Sequence, residues 1–284
     1  MENIYLKNIL FSIASCALFI GLIVPSEEIN DLEKQRLKGS VRSVMEIKYS
    51  LAENSDIALK DHIIFQKYTL FDLNGYEYEN TIYKNGDIFL TSNYLFGIDG
   101  KQVELNEYNP DGTLNLNVTY KYDDKGFRSE GNYRWSEDRK IGEIAEHTDY
   151  YYEIIQNDLY TKVLYMNEYR GYCTEENYLK ADSTLSFKFI FKYDFRGNKL
   201  ESGYFHGNGR LSWMTKYKYD RYDHLIESRV YKSNRIAVIS GYTYQFDTAG
   251  NWVIRNEDRK VFVNILTAGL DRANTVTERI IEYY

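Results

Sequence analysis

Proline is nearly absent: the chain of 284 residues has 2, Pro25 and Pro110. Cysteine is as rare, with Cys16 in an N-terminal apolar run and Cys173 alone in the body. A single body thiol forms no internal disulfide, so stability rests on packing and strand pairing, and the fold needs no oxidising compartment. The 4 histidines, His62, His147, His206 and His224, have no metal-ligand spacing. No Ser-His-Asp arrangement is legible, and "GNGR" (Gly207 to Arg210) is a hairpin turn with no helix signal behind it, so no glycine loop cradles a phosphate. Bases are outnumbered, 35 against 42 acids for a net charge of −7, and they form no cluster. That excludes nucleic acid, whose phosphates need neutralising by Lys and Arg. No cofactor or metal is implied.

Tyrosine and glycine are plentiful, at 29 and 18. Aromatic residues favour strands, and glycine serves tight turns. This composition fits many hairpins better than a helical bundle.

Lys7 precedes "NILFSIASCALFIGLIVPSEE". A weakly charged start, about 16 mostly apolar residues and then polar sequence make residues 1–26 a secretory signal or an N-terminal anchor, too short for a full bilayer span. "IASC" (Ile13 to Cys16) resembles the lipobox of bacterial lipoproteins, which marks Cys16 as a lipidation candidate. Because "ALFIGLIV" continues the apolar run, Cys16 is equally one more small residue of the hydrophobic region, with cleavage near Val24–Ser26. The expected location is outside the cytoplasm: outer membrane or cell surface, periplasm, or medium. Any membrane contact runs through this segment or its lipid.

"FKYDFRGNKLES" (Phe191 to Ser202) and "YKYDRYDHLIES" (Tyr217 to Ser228) repeat one phrase 26 positions apart. Aspartates that precede turns recur at Asp72, Asp99, Asp123, Asp194, Asp220 and Asp247, spaced 27, 24, 71, 26 and 27, the long gap holding about three units. Four residues after the turn slot a glutamate recurs in six units, at Glu79, Glu104, Glu130, Glu175, Glu201 and Glu227. A second set of turns falls half a period later, as in "KNGD" (Lys84 to Asp87), "NPDG" (Asn109 to Gly112) and "HGNG" (His206 to Gly209). Asn-Gly and Asp-Gly tolerate the positive φ that hairpins require. In "D-x-x-G" the Asp bonds its own turn backbone and the Gly relieves the exit. One unit is therefore strand, turn, strand, turn, with roughly 8–9 residues per strand and a ribbon about 30 Å wide. Between turns the sequence alternates, as in "GYTYQFD" (Gly241 to Asp247), which gives the sheet two unlike faces.

Such units share a core only when stacked. The expected fold is an all-β, long antiparallel meander of hairpin repeats, an open twisted or partly rolled sheet over residues 37–284. Residues 27–36 read as a polar linker or short helix before it. "LKGSVRSVMEIKYS" (Leu37 to Ser50) reads as the first strand and "VTERIIEYY" (Val276 to Tyr284) as the last, with Glu278 and Arg279 blunting an exposed edge.

The "Y-x-Y-D-x-x-G-N" phrase, clearest at Phe191–Asn198 and in "YQFDTAGNW" (Tyr244 to Trp252), resembles the YD repeat of RHS proteins. The layout over residues 37–284 is similar to small exported YD-repeat-like proteins of Bacteroidota. The "NG" half-turns are more weakly similar to MORN-like repeats, some of them in immunity proteins. Large RHS toxins form shells with a self-cleaving Asp-Pro segment; Pro25 and Pro110 lack that context, and seven or so units are too few to enclose a cargo. The resemblance implies a repeat architecture and no particular activity.

Three sets of residues are candidate sites. The Glu column could gather cations, or could lie on a solvated face paired with Lys and Arg across strands. Trp135, Trp213 and Trp252 could form a platform for sugar rings, or could pack the core. His206 and His224 fall in successive turns. The expected function is that of a non-enzymatic envelope or surface protein offering its sheet to a protein or glycan. The alternative is a structural or immunity-type protein holding one protein partner. A glycan-acting enzyme using two column carboxylates is the minor alternative.

Overall fold

The computed structural model describes residues 30–52, 60–136, 160–167, 172–262, 270–272 and 274–284. Residues 1–26, with Cys16, and residues 137–159 of the long repeat gap lie outside them. After a one-turn helix, α1 (Asp31–Lys34), the strands follow as β1 (Val41–Leu51), β2 (Lys60–Phe71), β3 (Glu77–Lys84), β4 (Asp87–Phe96), β5 (Gln102–Tyr108), β6 (Leu114–Tyr122) and β7 (Arg128–Trp135). They continue as β8 (Tyr160–Asn167), β9 (Cys173–Leu179), β10 (Leu185–Tyr193), β11 (Lys199–His206), β12 (Leu211–Tyr219) and β13 (Leu225–Lys232). The last are β14 (Arg235–Phe246), β15 (Trp252–Phe262), β16 (Leu270–Arg272) and β17 (Thr275–Tyr283).

From β1 to β16 each strand pairs antiparallel with its sequence neighbour, and the first and last strands meet. β17 bonds β15 on one side and β1 on the other, with Arg255 opposite Thr277 and Arg279 opposite Glu46. The short β16 continues the β17 position along β15. The open or partly rolled sheet expected from the sequence is thereby corrected: the sheet is a closed antiparallel barrel of 16 staves. Closure removes every edge and its unpaired amides and carbonyls, and it asks only that sheet coiling bring first and last strands together. The edge-blunting role expected of Glu278 and Arg279 falls with it. Arg279 points inward to Glu46 at 2.9 Å, and Glu278 meets Lys60 at 2.6 Å.

The turn chemistry explains the repeat. At Asp220 the carboxylate accepts from the amides of Tyr222 (2.8 Å) and His224 (2.9 Å), and Asp72, Asp123 and Asp194 do the same two and four residues on. The turn closes by Gly75 N to Asp72 O, with Gly75 at φ 84. The ladder then slips by one residue, so Phe71 faces Glu77, which is the hairpin with a glycine bulge. The opposite turns include Asn85 (φ 54) with Gly86 (φ 89), a pair of left-handed residues joining β3 to β4.

Alternation sorts the side chains. On β10, Phe187, Phe189, Phe191 and Tyr193 share the inner face, and Lys188 and Lys192 the outer one; Lys192 is 66% exposed. The Glu column lies outside. Glu201 sits between Lys192 (2.7 Å) and Lys216 (3.4 Å), Glu227 between Lys218 and Arg229 (both 2.9 Å), and Glu130 meets Lys121 at 2.8 Å. These partners hold the Glu201 and Glu227 carboxyls below their ordinary range, chiefly through hydrogen bonds from Lys192 and Arg229.

The inner face packs one end of the barrel. Leu116, Val118, Tyr133, Val163, Tyr178, Phe187 and Tyr204 form a cluster with Trp135 and Trp213. Val41, Val44 and Phe71 form a second, smaller cluster with Leu32 and Leu37, at the mouth where the Asp turns lie.

Candidate functional site

The Asp-turn mouth is organised by tyrosines. Tyr219 donates its hydroxyl to the Lys199 carbonyl (3.0 Å), Tyr122 to that of Gln102 (2.7 Å) and Tyr244 to that of Leu225 (2.8 Å). Each acceptor is the residue at which the ladder has slipped, so the hydroxyl serves a carbonyl at a break in regular pairing. The rings of these tyrosines consequently line the inner wall. Burial pushes the hydroxyls of Tyr219 and Tyr244 up to about 12.

Residues 30–40 lie across this mouth as a strap. At the β2–β3 turn the Leu32 amide donates to Gly75 O (3.1 Å) and the Glu77 amide to Asp31 Oδ2 (3.0 Å). Opposite, Arg36 donates to Asn198 Oδ1 and to Asp223 O (2.6 Å), in the β10–β11 and β12–β13 turns. Asn251, in the β14–β15 turn, accepts from the Lys38 amide (2.7 Å) and donates to the Lys38 carbonyl (2.9 Å). Leu32 to Arg36 is wound into α1 and its closing turn, a rise of about 6 Å, so the long Arg36 side chain supplies the reach to the opposite turns. The Asn of the "GN" phrase thus docks the strap at Asn198 and Asn251, both fully buried. Asp223 stands where other units have glycine, at φ 68, and its carboxylate is held by Arg196 (2.6 Å) and Asn198 (2.7 Å).

Between strap and wall lies a cavity of 710 Å³. Its aromatic wall comes from Tyr193, Tyr219, Tyr244, Phe246 and Trp252. Among the described residues its cations are Lys34, Arg36 and Lys38 of the strap, Lys199 at the start of β11 and Arg255 in β15, and Asp223 is the lining carboxylate. Arg255 lies 5.0 Å and Arg279 3.5 Å from the Trp252 ring centre. Lys199 Nζ lies 4.5 Å over Phe191. Burial lowers the Lys199 ammonium, against the opposing charges of Glu176 and Cys173. This lining is suited to holding a ring-bearing ligand.

Of the three tryptophans, Trp252 lines this cavity, whereas Trp135 and Trp213 are buried in the cluster at the other end. The Glu column is outside and its carboxylates do not face the lumen. His206 and His224 lie at opposite mouths, because successive turns alternate between the two ends. Among the described residues no cluster of His, Cys, Asp and Glu is arranged to hold a metal ion. Arg36, Lys199 and Arg255 were not singled out from sequence. Arg36 fell in the polar linker, and the only signal of Lys199 and Arg255 is cationic character on the aromatic phase of the alternation, which the one-residue bulge shifts.

No family model matches the chain, and no curated protein matches it. Among solved structures, a porin-like protein from Bacteroides uniformis is similar at 8% identity and TM-score 0.53, over 86% of this chain and 99% of that one. A porin-like protein from Bacteroides vulgatus has 14% identity and TM-score 0.41, over 86% and 98%. A Tc holotoxin pore of Photorhabdus luminescens has 11% identity and TM-score 0.21, over 69% of this chain and 12% of that one. The first likeness is one of fold: this chain shares the closed antiparallel β-barrel architecture of that protein.

Proposed function

We propose that the chain is a non-enzymatic envelope protein whose barrel stands in water and holds a glycan in the cavity under the strap. The cavity carries this reading. Aromatic faces stack on the apolar faces of sugar rings, and the tyrosine hydroxyls, already donating to backbone, still present lone pairs to sugar hydroxyls. Its volume of 710 Å³ is that of a small-ligand site. An envelope location is supported by the apolar run behind Lys7 and by the fold shared with the B. uniformis porin-like protein. Water rather than lipid around the barrel is supported by its outward charges. A membrane barrel needs an apolar outer band, and an outward Lys or Arg at mid-bilayer costs about 2–4 kcal/mol. Lys216 is at the middle of β12 and 51% exposed.

The test is a titration of the chain in detergent-free buffer with maltotriose and tri-galacturonate, read by tryptophan fluorescence and calorimetry. Saturable binding that is lost in Trp252→Ala, with unchanged circular dichroism, is the expected result. Equal affinity of wild type and Trp252→Ala would remove the cavity from consideration.

A further inference from the structure

We infer that the glycan is acidic, its carboxylate received by the guanidinium of Arg255 with Lys199 as the second cation of the site; this rests on the glycan reading above. The first ground is charge contrast. The chain as a whole carries −7, yet among the described residues the cavity is lined by five cations and one carboxylate. Lys34 and Arg36 have acidic partners, Asp31 at 3.1 Å and Asp223 at 3.8 Å. Lys199 and Arg255 have none within salt-bridge distance among the described residues.

The second ground is the state of Arg255. Its Nε is buried without a hydrogen-bond partner, and its Nη2 reaches Thr277 Oγ1 only at 3.5 Å. Arg279, over the same Trp252 ring, is compensated by Glu46 at 2.9 Å. The largely buried acids nearby are engaged by other cations, Glu46 by Arg279 and Glu257 by Lys48 at 3.6 Å. Against burial, the charges of Lys48 and, less, of Arg255 lower the Glu257 carboxyl, Arg255 without pairing with it. A buried cation with no acid directly paired to it is costly, and a ligand carboxylate would supply that pair. The guanidinium fork of an arginine matches a carboxylate in two parallel hydrogen bonds. Trp252 beside it and Tyr244 opposite Arg255 in the ladder supply stacking faces for the ring that bears the acid.

The probes are tri-galacturonate and its methyl ester, which keeps the rings and removes the charge. Wild type is expected to bind the acid at least tenfold more tightly than the ester, an advantage that shrinks as salt is added. Arg255→Gln is expected to lose that tenfold for the acid and to leave the ester within twofold; Arg255→Lys, which keeps charge without the fork, falls between. Equal binding of acid and ester by wild type, or equal losses for both in Arg255→Gln, overturns the acidic assignment and leaves glycan binding in place. Binding of neither probe by folded wild type overturns both. Should Arg255→Gln not fold, the acid–ester comparison on wild type decides.

Discussion

Arg279 donates its Nε to Glu46 Oε2 at 2.9 Å inside the barrel, joining the last strand to the first. The two face each other in the ladder and are both largely shielded from solvent. Removing one partner of such a pair strands the other charge, at about 3–5 kcal/mol. Arg279→Met is expected to lower stability by that order in urea unfolding. Glu46→Leu with Arg279→Met should recover more than half of the loss. A double variant no better than the single would mean that the stacking of Arg279 on Trp252 dominates instead.

Two inward carboxyls set a pH dependence. Burial raises the Glu107 and Glu176 carboxyls above the ordinary 4.5, against hydrogen bonds from Asn115 and Tyr178. A raised folded-state value means the native barrel keeps a proton that the unfolded chain has released. Stability from these groups is therefore full below the ordinary value and falls as pH rises through the raised one. Urea midpoints taken from about pH 4 to about pH 8 should decline less steeply for Glu107→Gln than for wild type. A parallel decline would show that Glu107 is not the titrating group.

The turn aspartates act in the opposite sense. Burial alone would raise Asp194, but hydrogen bonds from the Asn198 side chain and from the Asn198 and Arg196 amides hold it below the usual carboxylate range. A lowered value gives stability above the unfolded value that is lost as pH falls through the folded one. Asp194→Asn should flatten the acid limb of the same urea titration. An unchanged acid limb would show that other groups govern acid unfolding.

The turns were legible because their chemistry is local: an Asp, two amides and a residue that accepts positive φ lie within five positions. Closure was not, because it depends on coiling summed over 16 staves and on how Val41–Leu51 meets Thr275–Tyr283. The site was hidden by the bulges. Counting alternation back from Ser202 puts Leu200 inside and Lys199 outside, whereas the slip at Tyr193 does the reverse. The same slip at Phe246 brings Arg255 inside with Trp252. Asp223 was visible only as a departure from the glycine of its turn slot, and that departure anchors the strap.

The tyrosine of the repeated phrase is fixed by a hydroxyl, and phenylalanine tests this. Tyr219→Phe leaves the Lys199 carbonyl without its donor, at about 1–3 kcal/mol. Tyr122→Phe should cost a similar amount at Gln102, and the two should add because the sites share no partner. Thermal unfolding of the two single variants and the double one checks it. No change in either single variant would reduce the tyrosine to a packing residue.

The strap should open when Arg36 is removed. Its guanidinium is the side chain that ties the strap to the β10–β11 and β12–β13 turns, through Asn198 and Asp223. The strap's apolar anchors, Leu32 and Leu37, pack on Val41, Val44 and Phe71 on the other side of the mouth. Arg36→Ala therefore frees the cavity side first while the Leu32 side stays seated. Charge-assisted hydrogen bonds contribute about 1.5–3 kcal/mol, which corresponds to roughly ten- to a hundredfold in local opening. Hydrogen exchange should speed by that factor at the Lys38 amide on the cavity side, which donates to Asn251 Oδ1, and by less at the Leu32 amide on Gly75 O. Ligand association should quicken in the same variant if the strap gates the cavity. Equal acceleration at both amides would mean that the strap lifts as one piece and that Arg36 is no hinge point.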